Sequence, residues 1–166
     1  MPDWKSTTLT LGHSPDPDDA FMFYAMAKNK IDLKGYRFRH ILEDIQTLNE
    51  RATRGELHIT ALSIHALAYV LDRYALLPSG ASMGNGYGPV FITKDSHGLS
   101  EGADDLTKKN WLLGKRIAVP GRMTSAFLAA QLFLGQDFDY IIVPFDEIFE
   151  TVHSGDAGAG LIIHEG

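Results

Sequence analysis

A histidine and a glutamate follow a short apolar run near the end of the chain. Residues 160–163 read as a buried strand, and His164 and Glu165 come directly after it. The carboxyl edge of a parallel sheet is where ligands bind, and a neutral imidazole accepts a proton near pH 7. His164 is therefore the leading candidate for a general base. The other histidines are interpreted as structural, with His13 an exception because it flanks a polar loop.

That polar loop, residues 14–19, follows the first predicted strand and leads into a helix. Its serine hydroxyl, its rigid prolines and the helix N-terminus favour an anionic ligand such as a carboxylate. We take Ser14 and Asp18 as candidate ligand-binding residues. The alternative is an ordinary strand-to-helix loop in which Asp18 or Asp19 caps the helix. A divalent metal site is a weaker alternative, since no further ligand has a telling spacing.

Two other strand-to-helix junctions carry hydroxyl groups. Ser63 either caps a short helix or presents its hydroxyl to a ligand. Thr124 and Ser125 precede an alanine-rich helix, where they either cap the helix or form a second anion-friendly site that Arg122 could strengthen. Residues 80–88 hold several glycines that allow close backbone approach to a ligand, but a plain connection fits equally well.

Strand-like and helix-like segments alternate along the chain, which predicts an α/β fold with mostly parallel sheets. Strands are predicted over residues 7–12, 36–42, 58–62, 74–77, 89–93, 116–119, 140–143 and 160–163. Helices are predicted from residues 20, 44, 63, 124 and 146, with a short one around residues 104–110. We expect residues 1–94 to form lobe one, 95–114 a surface linker and 115–166 an incomplete lobe two.

Composition narrows the class of function. The formal net charge of −6 argues against a nucleic-acid partner, and the absence of cysteine excludes disulfides and thiolate chemistry. No apolar stretch fits a signal peptide or a membrane span, so we expect a cytoplasmic protein without a membrane partner.

Several motifs together resemble one enzyme family. They are Leu11-Gly12-His13-Ser14-Pro15-Asp16-Pro17-Asp18-Asp19-Ala20-Phe21-Met22-Phe23, Leu42-Glu43-Asp44, Thr47-Leu48-Asn49, Ala61-Leu62-Ser63, Gly84 to Pro89, Val119-Pro120-Gly121-Arg122 with Thr124, and Gly160-Leu161-Ile162-Ile163-His164-Glu165. Their order and spacing resemble the 1,4-dihydroxy-6-naphthoate synthases of the futalosine route to menaquinone, to which chorismate dehydratase is related.

The resemblance implies a periplasmic-binding-protein-like fold of type II, with two α/β lobes and a ligand cleft between them. It implies a lyase that converts cyclic dehypoxanthinyl futalosine, a carboxylate-bearing small molecule, without a metal or organic cofactor. By the family's pattern His164 is the base. The same pattern assigns substrate binding to Ala61, Leu62, Ser63, Thr124 and Ser125.

The chain departs from the family in two ways. Many members have Ser-Pro-Cys-Pro-Asn-Asp where this chain has Asp16 and Asp18, which bears on substrate detail. Members also continue beyond the histidine motif, so we expect either a chain truncated after Gly166 or a short form of the enzyme, in which exposed apolar surface could drive self-association. A chorismate-dehydratase-like lyase and a non-catalytic binder of a small carboxylate remain alternatives.

Overall fold

The structure, a computed structural model, describes residues 4–163. The chain divides into two compact units, Met1–Met83 and Gly84–Gly166. The strands are β1 Thr8–His13, β2 Arg37–Leu42, β3 Ile59–Thr60, β4 Val90–Ile92, β5 Ile117–Val119, β6 Tyr140–Ile142 and β7 Ala159–Ile162. The helices are α1 Pro17–Ala27, α2 Ile45–Arg54, α3 Ile64–Leu67, α4 Asp105–Leu113, α5 Ser125–Leu134 and α6 Ile148–Ser154. A 3-10 turn, Phe145–Glu147, precedes α6.

The first unit is built on a three-stranded parallel sheet in the order β2-β1-β3. The central strand, β1, pairs in register with both neighbours, with Gly12 opposite both Ile41 and Thr60. The position of Gly12 leaves no room for a side chain. A Cβ there would lie 2.7 Å from side-chain carbons of Leu48 and Leu57, so α2 can pack closely on the strand only over a glycine.

Helix α2 has a capping residue at each end. The Asp44 carboxylate accepts a hydrogen bond from the Thr47 N–H at 3.0 Å, which satisfies one of the free donors of the first turn. Gly55 ends the helix in the left-handed conformation, with φ of 69°. The face between these caps carries the buried Leu48 and Ala52, so α2 packs one apolar side against the sheet.

The second unit holds a four-stranded sheet in the order β4-β7-β5-β6. Strands β7, β5 and β6 are parallel, while β4 pairs with β7 in the antiparallel direction. The main core cluster combines α5 with the sheet and includes Ile117, Val119, Phe127 and Leu161. Burial of this apolar surface is the main source of the unit's stability.

The boundary between the two compact units differs from the lobe division predicted from sequence, which stays a prediction. Strand β4 was expected in a first lobe ending at residue 94, but its pairing with β7 places it in the second unit. The predicted linker, residues 95–114, contains α4, whose Leu112 is buried in the core of the same unit. Residues 74–77 form no strand; the Tyr74 hydroxyl instead donates to the Leu57 carbonyl at 2.7 Å.

Within residues 4–163, no helix has the length and apolar character needed to cross a membrane.

Candidate functional site

The carboxyl ends of the three parallel strands in the first unit lie at one edge of its sheet. Ser14 directly follows β1, and Ala61 directly follows β3. The Ala61 N–H donates to the Gly12 carbonyl at 2.7 Å, and the Glu43 N–H donates to the His13 carbonyl at 3.2 Å. These two bonds continue the ladder past the ends of β3 and β2, which holds the predicted ligand-binding loops at the edge where α/β sheets bind ligands.

The Ser14 loop, residues 14–19, is held by hydrogen bonds between its own residues. The buried Ser14 donates its N–H to Asp19 at 2.7 Å, and the Asp16 N–H donates to the Ser14 hydroxyl at 3.2 Å. Burial raises the pKa of the half-buried Asp19 carboxyl, with smaller contributions from the charges of Asp18 and Asp16. The N-cap of α1 is Asp16, without a side-chain cap bond, rather than Asp18 or Asp19 as predicted.

Asp18 was predicted to bind the ligand. Its carboxylate accepts the Asp19 N–H at 2.9 Å, so at least part of its hydrogen-bonding capacity serves the loop itself. Among residues 4–163, no group of three or more histidine or acidic side chains is arranged to hold a metal ion, so the three aspartates of this loop do not form such a group.

His13 connects this loop to the neighbouring strand. Its Nδ1 lies 3.0 Å from the Ser14 carbonyl oxygen, its Nε2 lies 3.0 Å from His40 Nδ1, and its ring stacks on Phe23 with centroids 4.6 Å apart. A carbonyl can only accept, so Nδ1 of His13 carries a proton. Burial and the nearby His13 lower the pKa of His40. The His13–His40 pair is thus hydrogen-bonded to the start of the loop through the Ser14 carbonyl.

The segment after β3 supplies the predicted Ala61, Leu62 and Ser63, of which the first two are half-buried and Ser63 is buried. Ser63 occupies the N-cap position of α3 but makes no side-chain cap hydrogen bond. Its N–H instead donates to Asn49 Oδ1 at 2.9 Å, and its hydroxyl accepts from Asn49 Nδ2, also at 2.9 Å. The plain N-cap interpretation of Ser63 is therefore wrong.

Asn49 belongs to one of the motifs that carry the resemblance but was not predicted as a site residue. It is fully buried in α2, beside Leu48 and three residues before Ala52. A polar side chain on the apolar face of an amphipathic helix needs a buried partner. That pattern is the signal in the sequence that could have drawn attention to it.

In the second unit, Thr124 and Ser125 begin α5. The buried Thr124 hydroxyl donates to the Gly121 carbonyl at 2.8 Å and accepts from the Phe127 N–H at 3.1 Å, which makes it the N-cap. Ser125 is half-buried in the first turn of this ten-residue helix. The Arg122 guanidinium lies over the Tyr140 ring, 5.5 Å from its centroid. Because the Thr124 hydroxyl serves the cap through both of these hydrogen bonds, Ser125 and the helix N-terminus are the better candidates for anion binding.

His164 lies outside the described residues. The strand that leads to it, β7, is buried along its whole length and runs parallel to β5. Its carboxyl end therefore lies at the same sheet edge as that of β5, which is followed by residues 120–124. The described candidate residues thus divide between the sheet edges of the two units, with Ser14 and Ser63 in the first and Thr124 and Ser125 in the second.

An apolar cavity of about 550 Å³ lies elsewhere in the second unit, lined by side chains that include Phe91, Trp111, Phe133 and Leu161. Among residues 4–163, none of the predicted site residues lines this cavity.

The fold has the α/β architecture of type II periplasmic-binding-protein-like proteins. A structure of an ancestral arginine-binding protein bound to arginine matches 94% of this chain and 70% of its own, with 15% identity and a TM-score of 0.56. At that identity the likeness concerns the fold alone.

The family follows from closer matches. The family model described as menaquinone biosynthesis matches residues 9–166, and the chain belongs to that family. A 1,4-dihydroxy-6-naphthoate synthase from Thermus thermophilus is 39% identical over 95% of this chain and 53% of its own length. A crystal structure of a protein from Archaeoglobus fulgidus is 44% identical, with a TM-score of 0.82, over 96% of this chain and 55% of its own. The chain spans about half the length of the curated relatives it matches.

Proposed function

We propose that this chain acts as a carbon–carbon lyase of menaquinone biosynthesis, converting cyclic dehypoxanthinyl futalosine to 1,4-dihydroxy-6-naphthoate. The observation that carries the proposal is the 39% identity to a synthase of that name along 95% of the chain. The hydroxyl and N–H donors at the sheet edge of each unit are compatible with a substrate that bears carbonyl and carboxylate oxygens.

His164 is the proposed general base. It would remove a proton next to a carbonyl, and the resulting electron pair would drive the elimination that opens the ring system. Negative charge then develops on the carbonyl oxygen, where a fixed hydrogen-bond donor lowers the barrier. Ser14 and Ser63 are the candidate side-chain donors of the first unit, with Ala61, Leu62 and Asp18 beside them.

The substrate carboxylate is assigned to the start of α5. The first turn of this helix has N–H groups without intrahelical partners, and Ser125 adds a hydroxyl. Thr124 contributes by capping the turn and so fixing the direction of those donors.

The test is turnover by the purified full chain with the futalosine derivative, followed by chromatographic detection of dihydroxynaphthoate. His164→Ala should lower kcat by about 100-fold or more, the usual contribution of a general base, while substrate binding measured by calorimetry changes little. His153→Ala, which changes an exposed histidine in the last turn of α6, is the matched control and should keep wild-type turnover.

Unchanged turnover in His164→Ala would show that the base is a different group. If the wild type binds the futalosine derivative without forming product, the chain is a binder. If it forms product only from chorismate, it is a dehydratase.

A further inference from the structure

Asn49 and Ser63 form a closed pair of hydrogen bonds between α2 and the segment after β3. The Ser63 N–H donates to Asn49 Oδ1 and Asn49 Nδ2 donates to the Ser63 hydroxyl, both at 2.9 Å. Asn49 is fully buried and Ser63 is 8% exposed. Hydrogen bonds in such a setting have little competition from water, so the geometry of the pair is held firmly.

The donor and acceptor groups of the pair determine whether the Ser63 hydroxyl donates to Asn49 or accepts from it. A backbone N–H can only donate, so the amide oxygen of Asn49 must face it. The amide nitrogen is then the group that faces Ser63 Oγ, and it too can only donate. The serine oxygen therefore accepts from Asn49, and its own proton must point to an acceptor other than Asn49.

The position of Ser63 makes this directionality useful. It lies at the N-cap of α3 without a side-chain cap bond, so the helix start does not fix its hydroxyl as it fixes that of Thr124. It also follows β3, at the carboxyl edge of the sheet. A hydroxyl that accepts from Asn49 at this edge has its proton directed towards a different acceptor.

We propose that Asn49 is a positioning residue that directs the Ser63 hydroxyl to donate a hydrogen bond to a carbonyl or carboxylate oxygen of the substrate. This rests on the proposed function for the role of Ser63 as a substrate-binding residue. The competing explanation is a purely structural pair that joins α2 to the start of α3. A structural pair would affect stability without changing KM through Ser63.

Asn49→Asp separates the two explanations because it keeps the shape of the side chain. One carboxylate oxygen still accepts the Ser63 N–H, but the other now accepts where the amide donated, so the serine proton turns towards it. At pH 8, where the carboxylate is most fully ionised, we expect KM for the futalosine derivative to rise about tenfold and kcat to change less than about threefold. Asn110→Asp, on the exposed side of α4, adds the same charge and should leave both constants unchanged.

A double-mutant cycle with Ser63→Ala distinguishes a redirected hydroxyl from simple charge repulsion. If Asn49 acts through Ser63, Asn49→Asp should change KM less than about twofold in the Ser63→Ala background. An equal KM effect in both backgrounds would overturn the proposal, because the introduced charge would then act on the substrate directly. Ser63→Thr, which keeps a hydroxyl, should restore a KM close to that of the wild type.

NMR spectra of the wild type and the Ser63 variants test the hydrogen-bonded pair without any substrate. The side-chain amide resonances of Asn49 should shift in Ser63→Ala and stay near their wild-type positions in Ser63→Thr. If they are insensitive to both substitutions, Asn49 does not position Ser63 and the proposal is wrong. A wild type that neither binds nor converts the compound would refute the proposed function, while these spectra would still decide the positioning.

Discussion

The aspartates after the first strand form hydrogen bonds with the backbone of their own loop. Asp19 accepts the Ser14 N–H at 2.7 Å, and Asp18 accepts the Asp19 N–H at 2.9 Å. Both carboxylates therefore hold the backbone of the loop. The Asp18 carboxylate accepts a backbone N–H as well as an amide oxygen would.

Replacement of Asp19 should separate its charge from its role as a hydrogen-bond acceptor. Burial raises its pKa, so at pH 7 the folded state carries the carboxylate at a cost that the unfolded chain does not bear. Asp19→Asn keeps an acceptor for Ser14, and we expect its free energy of unfolding at pH 7 to equal or exceed the wild-type value. Asp19→Ala should lose about 1–3 kcal/mol, because the Ser14 N–H is left unsatisfied. Urea unfolding of both variants checks this.

The contrary result is an Asp19→Asn protein as unstable as Asp19→Ala. It would mean that the negative charge itself, near the start of α1, stabilises the loop more than burial disfavours it.

At the scale of elements, β7 is the strand whose position matters most for the candidate site, since it leads to the proposed base, His164. It lies between β4 and β5, and all four of its residues are buried. Gly160 allows α6 to approach the strand. A Cβ at that position would lie 2.6 Å from Ile148 Cγ2 and 3.0 Å from Val152 Cγ2.

Gly160→Ala should therefore destabilise the second unit by about 1–3 kcal/mol, the usual cost of overpacking a core. Gly88→Ala, where nothing lies within 4 Å of the added Cβ, is the control and should be neutral or slightly stabilising. The loss should shrink in an Ile148→Ala background, because the added methyl group then has room. Chemical denaturation of the wild type and these variants measures each effect. A Gly160→Ala protein as stable as the wild type would mean that α6 moves aside at little cost.

Local signals explain which elements could be predicted from the sequence. Helix α2 was predicted from residue 44, and in the structure Asp44 is its N-cap and Gly55 its left-handed C-terminal glycine. Both signals act within one turn of the chain, so composition and spacing reveal them.

Long-range pairings explain what could not be predicted. The antiparallel match of Val90 with Ile162 joins strands that are far apart along the chain, and nothing near Val90 indicates its partner. In the site, the sequence indicated Ser63 as a polar group near a helix start. The Asn49 pair that turns it away from capping depends on how α2 packs against the segment after β3.

At the scale of the whole molecule, the free energy of unfolding should depend on pH through His40, a histidine close to the candidate ligand-binding loop. The pKa of His40 is lowered by burial first and by the neighbouring His13 second. The unfolded chain, with an ordinary histidine pKa of about 6.5, therefore binds a proton at a higher pH than the folded chain does.

Stability should accordingly fall as the pH drops through about 6.5 and become level with respect to His40 below its lowered folded pKa. The slope due to one such group cannot exceed about 1.4 kcal/mol per pH unit. In His40→Asn, whose amide nitrogen can replace Nδ1 as the partner of His13, this contribution is removed. We expect the wild type to lose more stability than the variant between pH 7.5 and pH 5.5 in urea titrations.

Comparing the two proteins cancels the contribution of Asp19. Its raised pKa acts in the opposite direction, because protonation of its carboxyl at low pH favours the folded state. Parallel pH profiles for the two proteins would contradict the prediction and show that His40 takes up its proton equally easily in both states.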